Sequence, residues 1–196
     1  MISKKKIQSN DLRVIKTKKI IKEAFMQLIE EKGYSKVSIS EITERAMINR
    51  NTFYLHYCDK EDLVDKILEE NFKNFQKSVA VFILRYNTRI SNNIKDNIAE
   101  TVSDTIDILL ADIEFYRIIV MDPGLSGYLT KVKNNIKILM APNFNTTVEN
   151  KIIFDFIFDG VFGVLIEWIK KDYATKSEIV ETLSNLLSSG WTYLKI

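Results

Sequence analysis

Apolar residues recur along most of this chain at spacings of three and four, and strand-like alternation is nearly absent. The pattern predicts nine helices. The first runs from about Leu12 to Lys32, with Ile20, Ile21, Ala24, Phe25, Leu28 and Ile29 on one buried face, and Gly33 stops it. Ser38, with Glu41 three residues on, makes a capping box. It opens a short helix to about Ala46, with Ile39, Ile42 and Ala46 inward. Met47 and Ile48 form a tight turn. Asn49 then caps a second short helix, from Arg50 to about His56. Tyr57, Cys58 and Asp59 end it, and Asp59 is placed to cap the next helix, Lys60 to about Tyr86. Residues 87–93 read as a polar loop. Five further helices follow over 94–110, 113–121, 125–140, 147–171 and 176–195, with breaks at Asp122-Pro123-Gly124 and Ala141-Pro142-Asn143. The fold class is all-α. Residues 1–59 read as a three-helix, helix-turn-helix head, and residues 60–196 as a six-helix regulatory and dimerisation body.

Charge sharpens this division. Residues 1–60 hold 13 Lys/Arg against 7 Asp/Glu, whereas residues 61–196 hold 15 against 19. A basic head on a mildly acidic body is the layout of a nucleic-acid-binding module joined to a partner domain. Composition removes other classes. Apolar residues make up 46% of the chain, too many for a disordered polymer. Cys58 is the single cysteine and His56 the single histidine, which excludes a disulfide framework, a cysteine-rich zinc module and any site with paired histidines. The richest apolar stretch, Ile152–Ile169, carries Asp155, Asp159 and Glu167, so it is not a spanning helix. Met1–Lys6 has charge with no apolar segment behind it, unlike a signal peptide. A cytoplasmic protein with no membrane partner, no cofactor and no metal is expected.

The candidate chemistry lies in Ser38–Lys60. A helix that reads DNA lies in the major groove with its N-terminal residues at the base edges. Asn49, Arg50, Asn51 and Thr52 occupy those positions. Asn and Arg side chains pair bidentately with adenine and guanine, and a Thr methyl touches a thymine methyl. Tyr54 and His56, with Lys60 and Ser38 on flanking helix starts, are placed for phosphates, which set register. Lys4, Lys5 and Lys6 sit on a loose arm, Met1–Ser9, within reach of the backbone or the minor groove. Motifs for enzymes (a nucleophile elbow, a phosphate loop, a dinucleotide fingerprint) are absent, so the chain does not read as an enzyme.

The same residues resemble a known family. Phe25, Leu28, Gly33-Tyr34, Val37-Ser38-Ile39, Ile42 and Ala46, followed by Asn49-Arg50, Thr52-Phe53-Tyr54, His56-Tyr57, Lys60 and Leu63, look like the TetR-family DNA-binding domain over about residues 12–64. Two departures are visible: Met47 and Asn51 stand where the family commonly has glycine. The run Asp159–Trp168 looks like a C-terminal domain of Firmicute-type members. The resemblance implies a homodimeric, mostly repressing transcription regulator that binds a double-stranded DNA operator. Its third helix would meet bases, and the positions of Tyr54, His56 and Lys60 would meet phosphates. A small-molecule effector would bind the body.

The body supports dimerisation independently. The predicted helix over 147–171 is apolar nearly all round, which requires burial on all sides. A central helix of a monomer satisfies that requirement, and so does a helix shared with a second subunit. For the dimer, the expected interface is Phe158, Phe162 and Ile166 of this helix with Leu183, Leu187 and Trp191 of the last. Surplus aromatics, namely Phe82, Tyr86, Phe115, Tyr116, Phe154, Phe158 and Phe162, are the candidate effector-pocket residues. Aromatic stripes at helical spacing fill cores as readily as they line pockets. A co-regulator whose body binds a protein instead of a small molecule fits the same pattern.

Overall fold

The computed structural model describes residues 2–88, 94–143 and 147–191, with the side chains of 12–81, 84, 95–142 and 147–190. Nine α-helices and no strand occur among the described residues. They are α1 (Ile2–Lys32), α2 (Ile39–Arg45), α3 (Arg50–Tyr54), α4 (Lys60–Thr88), α5 (Ile94–Leu110), α6 (Ile113–Met121), α7 (Ser126–Met140), α8 (Val148–Lys171) and α9 (Lys176–Trp191). Short 3-10 turns lie at Tyr34–Lys36, Pro123–Leu125 and Ala141–Asn143. No helix among the described residues is long and apolar enough to cross a membrane.

The chain forms two compact units, Met1–Leu68 and Glu69–Ile196. The head extends past residue 59 because the first turns of α4 contribute Leu63, Val64, Ile67 and Leu68, all buried. In the head, α1 packs on α2 and α2 on α3. The core holds Ile21, Phe25, Leu28 and Ile29 of α1, Ile42 of α2 and Phe53 of α3. Ile20 does not join it. It is exposed, because the inward stripe of α1 begins one residue later at Ile21.

The expected loose arm is also corrected. Nothing before Leu12 is proline or glycine, so the helix continues outward to Ile2 and the arm is part of α1. The side chains of Lys4, Lys5 and Lys6 lie outside the described residues. So do residues 89–93 of the predicted loop and residues 192–195 of the last predicted helix.

The second unit is a helical body in which α5 lies along α9 and α6 packs on α8 and α7. Its core contains Ile98, Val102 and Ile106 of α5, Phe154, Phe158, Trp168 and Ile169 of α8, and Ile179 and Leu183 of α9. Thr147 caps α8 by accepting from the Asn150 backbone N–H at 3.1 Å. Trp168 Nε1 donates to the Ala174 carbonyl at 2.8 Å and secures the link into α9. Gly190 of α9 lies against the Ile157 side chain of α8, where an added Cβ would come within 2.9 Å of the movable Cδ1.

Candidate nucleic-acid interface

The head is assembled from caps and clamps. Ser38 and Glu41 form the expected capping box: Ser38 Oγ accepts from the Glu41 N–H, and the Glu41 carboxylate accepts from the Ser38 N–H at 3.0 Å. Lys32 at the end of α1 pairs with the same carboxylate. These donors hold Glu41 well below the usual carboxylate range, at about 2, the Lys32 bond having the largest effect. Beside it, Arg45 of α2 meets Glu31 of α1 in a two-pronged contact at 2.7 and 2.8 Å. The two contacts lock α2 across the C-terminal end of α1.

The turn after α2 shows how the chain manages without a glycine. Met47 N–H donates to the Glu44 carbonyl, and Ile48 N–H to the Thr43 carbonyl, both at 3.0 Å. This paired pattern closes a helix through a left-handed residue. Met47 is that residue, at φ 52°, with its side chain 92% exposed.

Asn49 then caps α3, its Oδ1 accepting from the Asn51 N–H at 2.8 Å. The cap engages the oxygen that a bidentate adenine contact requires, leaving the Asn49 amide as a donor. Asn51, two residues on, is exposed. Arg50 is exposed and reaches Tyr54 Oη at 3.4 Å. Thr52 is half-buried, and Phe53 and Tyr57 face the core with their rings 5.5 Å apart. Leu55, which no sequence signal singles out, stands 81% exposed at the end of this helix.

The predicted phosphate residues divide. Tyr54 is exposed, and Ser38 is an exposed cap. His56 is half-buried; burial first, then the charges of Lys18 and Lys66, push its imidazole below its ordinary value. Lys60 is turned to an internal task. Its ammonium donates to the carbonyls of Tyr34 at 3.0 Å and Val37 at 3.2 Å, and lies 4.3 Å from the Tyr34 ring centroid. Asp59 caps α4 as expected, accepting from the Asp62 N–H at 2.6 Å.

In the body, the expected interface and pocket residues differ in burial. Phe158 is 8% exposed and Leu183 3%, both packed in their own chain's core. Phe162, Ile166 and Leu187 are half-buried. The apolar residues that α8 leaves in water are Val148, Ile152 and Phe156, with Leu186 on α9. Sequence reasoning misses them because α8 is apolar on every side, so periodicity does not rank its faces.

Of the pocket candidates, Phe115 and Phe154 are buried, and Phe154, Phe158 and Phe162 stack in a ladder with centroids 5.7 and 6.1 Å apart. Tyr116 is pushed up to about 12, mainly by burial and then by Asp112. The side chains of Phe82, Tyr86 and Trp191 lie outside the described residues. Charged side chains of the body form ion pairs. Asp155 meets Lys137 at 2.8 Å, Asp159 meets Lys133 at 3.2 Å, and Arg117 meets Glu114 at 2.8 Å.

Two short helices at a tight turn, stapled to a longer first helix and presenting Arg50 and Asn51 outward, define a helix-turn-helix of the DNA-binding type. The chain belongs to the TetR family of bacterial transcriptional regulators. Residues 20–67 match the family's N-terminal domain, described as bacterial regulatory proteins, tetR family. Residues 96–189 match a transcriptional regulator C-terminal region of the same family. Proteins of this family are regulators and not enzymes.

Among relatives, the HTH-type dhaKLM operon transcriptional activator DhaS of Lactococcus lactis is 38% identical over 63 residues, covering 32% of this chain and 34% of that protein. The uncharacterised HTH-type transcriptional regulator YxbF of Bacillus subtilis is 37% identical over 62 residues, covering 31% and 16%. These matches thus span well under two thirds of either relative. A solved TetR-family regulator from Syntrophomonas wolfei superposes with a TM-score of 0.64 at 19% identity, over 89% of this chain and 94% of that one, which establishes a shared fold.

Proposed function

We propose that this protein is an effector-responsive repressor that binds a palindromic operator as a homodimer. The observation that carries the reading is the exposed set Asn49, Arg50, Asn51 and Tyr54 on a capped helix of a basic head. Arg50 and Asn51 read bases, Asn49 and Thr52 assist, and Tyr54, His56 and Ser38 meet phosphates. The head, Met1–Leu68, carries DNA recognition, while the unit that follows it carries dimerisation and effector binding.

The second subunit covers the α8 stripe. At 100° per residue, Val148, Ile152, Phe156, Gly160 and Gly163 fall within a third of the helix circumference. All are exposed, and a Cβ at either glycine would meet nothing within 4 Å. Large apolar side chains beside bare backbone suit close helix–helix approach. Phe162, Ile166 and Leu187 flank that contact. Two heads related by a two-fold axis then meet successive major grooves about 34–36 Å apart. The effector is a small molecule bound by the helical body, with Phe115, Tyr116, Phe154, Phe158 and Phe162 as the candidate contacts. It acts by binding one head spacing more tightly than the other.

The test is selection from random-sequence duplexes across a salt series, followed by a promoter reporter carrying the recovered site. Recovery of a palindrome, with binding that falls steeply with salt and transcription that rises when the protein is removed, supports the reading. Sequence-blind binding rejects operator recognition. Transcription that falls on removal makes the protein an activator, the role named for its lactococcal relative.

A further inference from the structure

We infer that Leu55 is a sequence-reading residue of the head, making an apolar contact with the 5-methyl group of a thymine. The inference rests on the head binding DNA and adds a contact to it. Leu55 keeps right-handed helical dihedrals at the end of α3, and its N–H donates to the Asn51 carbonyl at 3.1 Å. It therefore stands one turn behind Asn51 on the same outward face, while Phe53 and Tyr57 on the other side are buried.

Four residues of helix span about 6 Å, or about two base steps at 3.4 Å each. A side chain there meets a base pair beyond the one Asn51 meets. The other exposed residues of α3, Arg50, Asn51 and Tyr54, are polar or carry a polar tip. The thymine methyl is the one apolar group that a base pair offers in the major groove. Charge complementarity fixes the occupant as DNA, since the 1–60 segment carries 13 Lys/Arg against 7 Asp/Glu.

The experiment uses the full-length protein and the duplex recovered by selection from random sequences. Each thymine is replaced singly by deoxyuridine, which removes only the methyl group. Wild-type protein is expected to bind about four-fold more weakly at one position in each half-site, the value of one buried methyl-sized group. Leu55→Ala is expected to bind thymine and uracil equally at that position and to keep the wild-type response at every other position. Its melting curve is expected to match the wild type, because the side chain touches solvent.

Equal wild-type affinity at every replaced position overturns the inference and leaves operator binding intact. A Leu55→Ala protein that retains the thymine preference, or that weakens on all duplexes alike, also overturns it, because the leucine then packs on sugar or backbone. Failure to recover any preferred sequence rejects both this inference and the operator reading.

Discussion

At the residue scale, Met47 carries a strain that its position makes easy to test. A side chain at φ 52° crowds its own backbone, a cost that glycine avoids. Met47→Gly gives up almost no buried surface and is expected to stabilise the head by about 0.5–1 kcal/mol net of glycine's entropy, readable as a higher Tm. His56 supplies a second test. Its folded midpoint lies below its unfolded value of 6.5, so the unfolded chain holds the proton more readily. Stability is complete above 6.5 and falls as pH drops from there through the folded midpoint. NMR titration of the imidazole, with melts across the same range, checks both the midpoint and the sign; His56→Gln is expected to flatten that part of the profile. Lys60 is the third case. With two of its donors on the carbonyls of Tyr34 and Val37, Lys60→Ala is expected to lower Tm while leaving the slope of DNA binding against salt unchanged. A slope reduced by about one would restore it as a phosphate contact.

At the element scale, the short helices of the head depend on their ends. Helices of seven and five residues have little stability of their own, so caps and clamps decide whether they form. Ser38→Ala is expected to cost about 1 kcal/mol and to weaken DNA binding through loss of α2 order. Because Glu41 is held at about 2, its contribution is present above the ordinary carboxylate range near 4.5 and is lost as pH falls from there toward 2. Acid melts of the Glu41→Gln protein are expected to lack that loss. The caps at Ser38, Asn49 and Asp59 are legible in the sequence because each depends on contacts within three residues. The outward reach of α1 is not legible in the same way, since a run of lysines carries no stop signal and only the absence of a breaker speaks for helix.

At the scale of the whole molecule, α8 links the fold to the proposed dimer. A helix apolar on every side declares that it is covered, without saying by what. Once Phe154, Phe158 and Trp168 are seen to face the core, the stripe of Val148, Ile152 and Phe156 is what remains. Phe156 is 81% exposed, so Phe156→Asp is expected to leave the Tm of the isolated chain nearly unchanged while converting dimer to monomer by sedimentation. Phe158→Asp, in contrast, is expected to unfold the body, because it places a charge in the core. If Phe156→Asp stays dimeric, the stripe is not the subunit contact.

The amino-acid sequence by itself determined the all-α class, the helix-turn-helix head and its caps. These follow from local spacing, turn chemistry and charge, each a matter of a few neighbouring residues. Only the tertiary structure decided that Lys60 ties down a loop, that the Asn49 oxygen is engaged in its cap, that Leu55 stands in solvent, and which side of α8 is left bare. Those facts depend on residues far apart in sequence competing for the same space and the same hydrogen bonds. Such competition is resolved by packing and has no period along the chain.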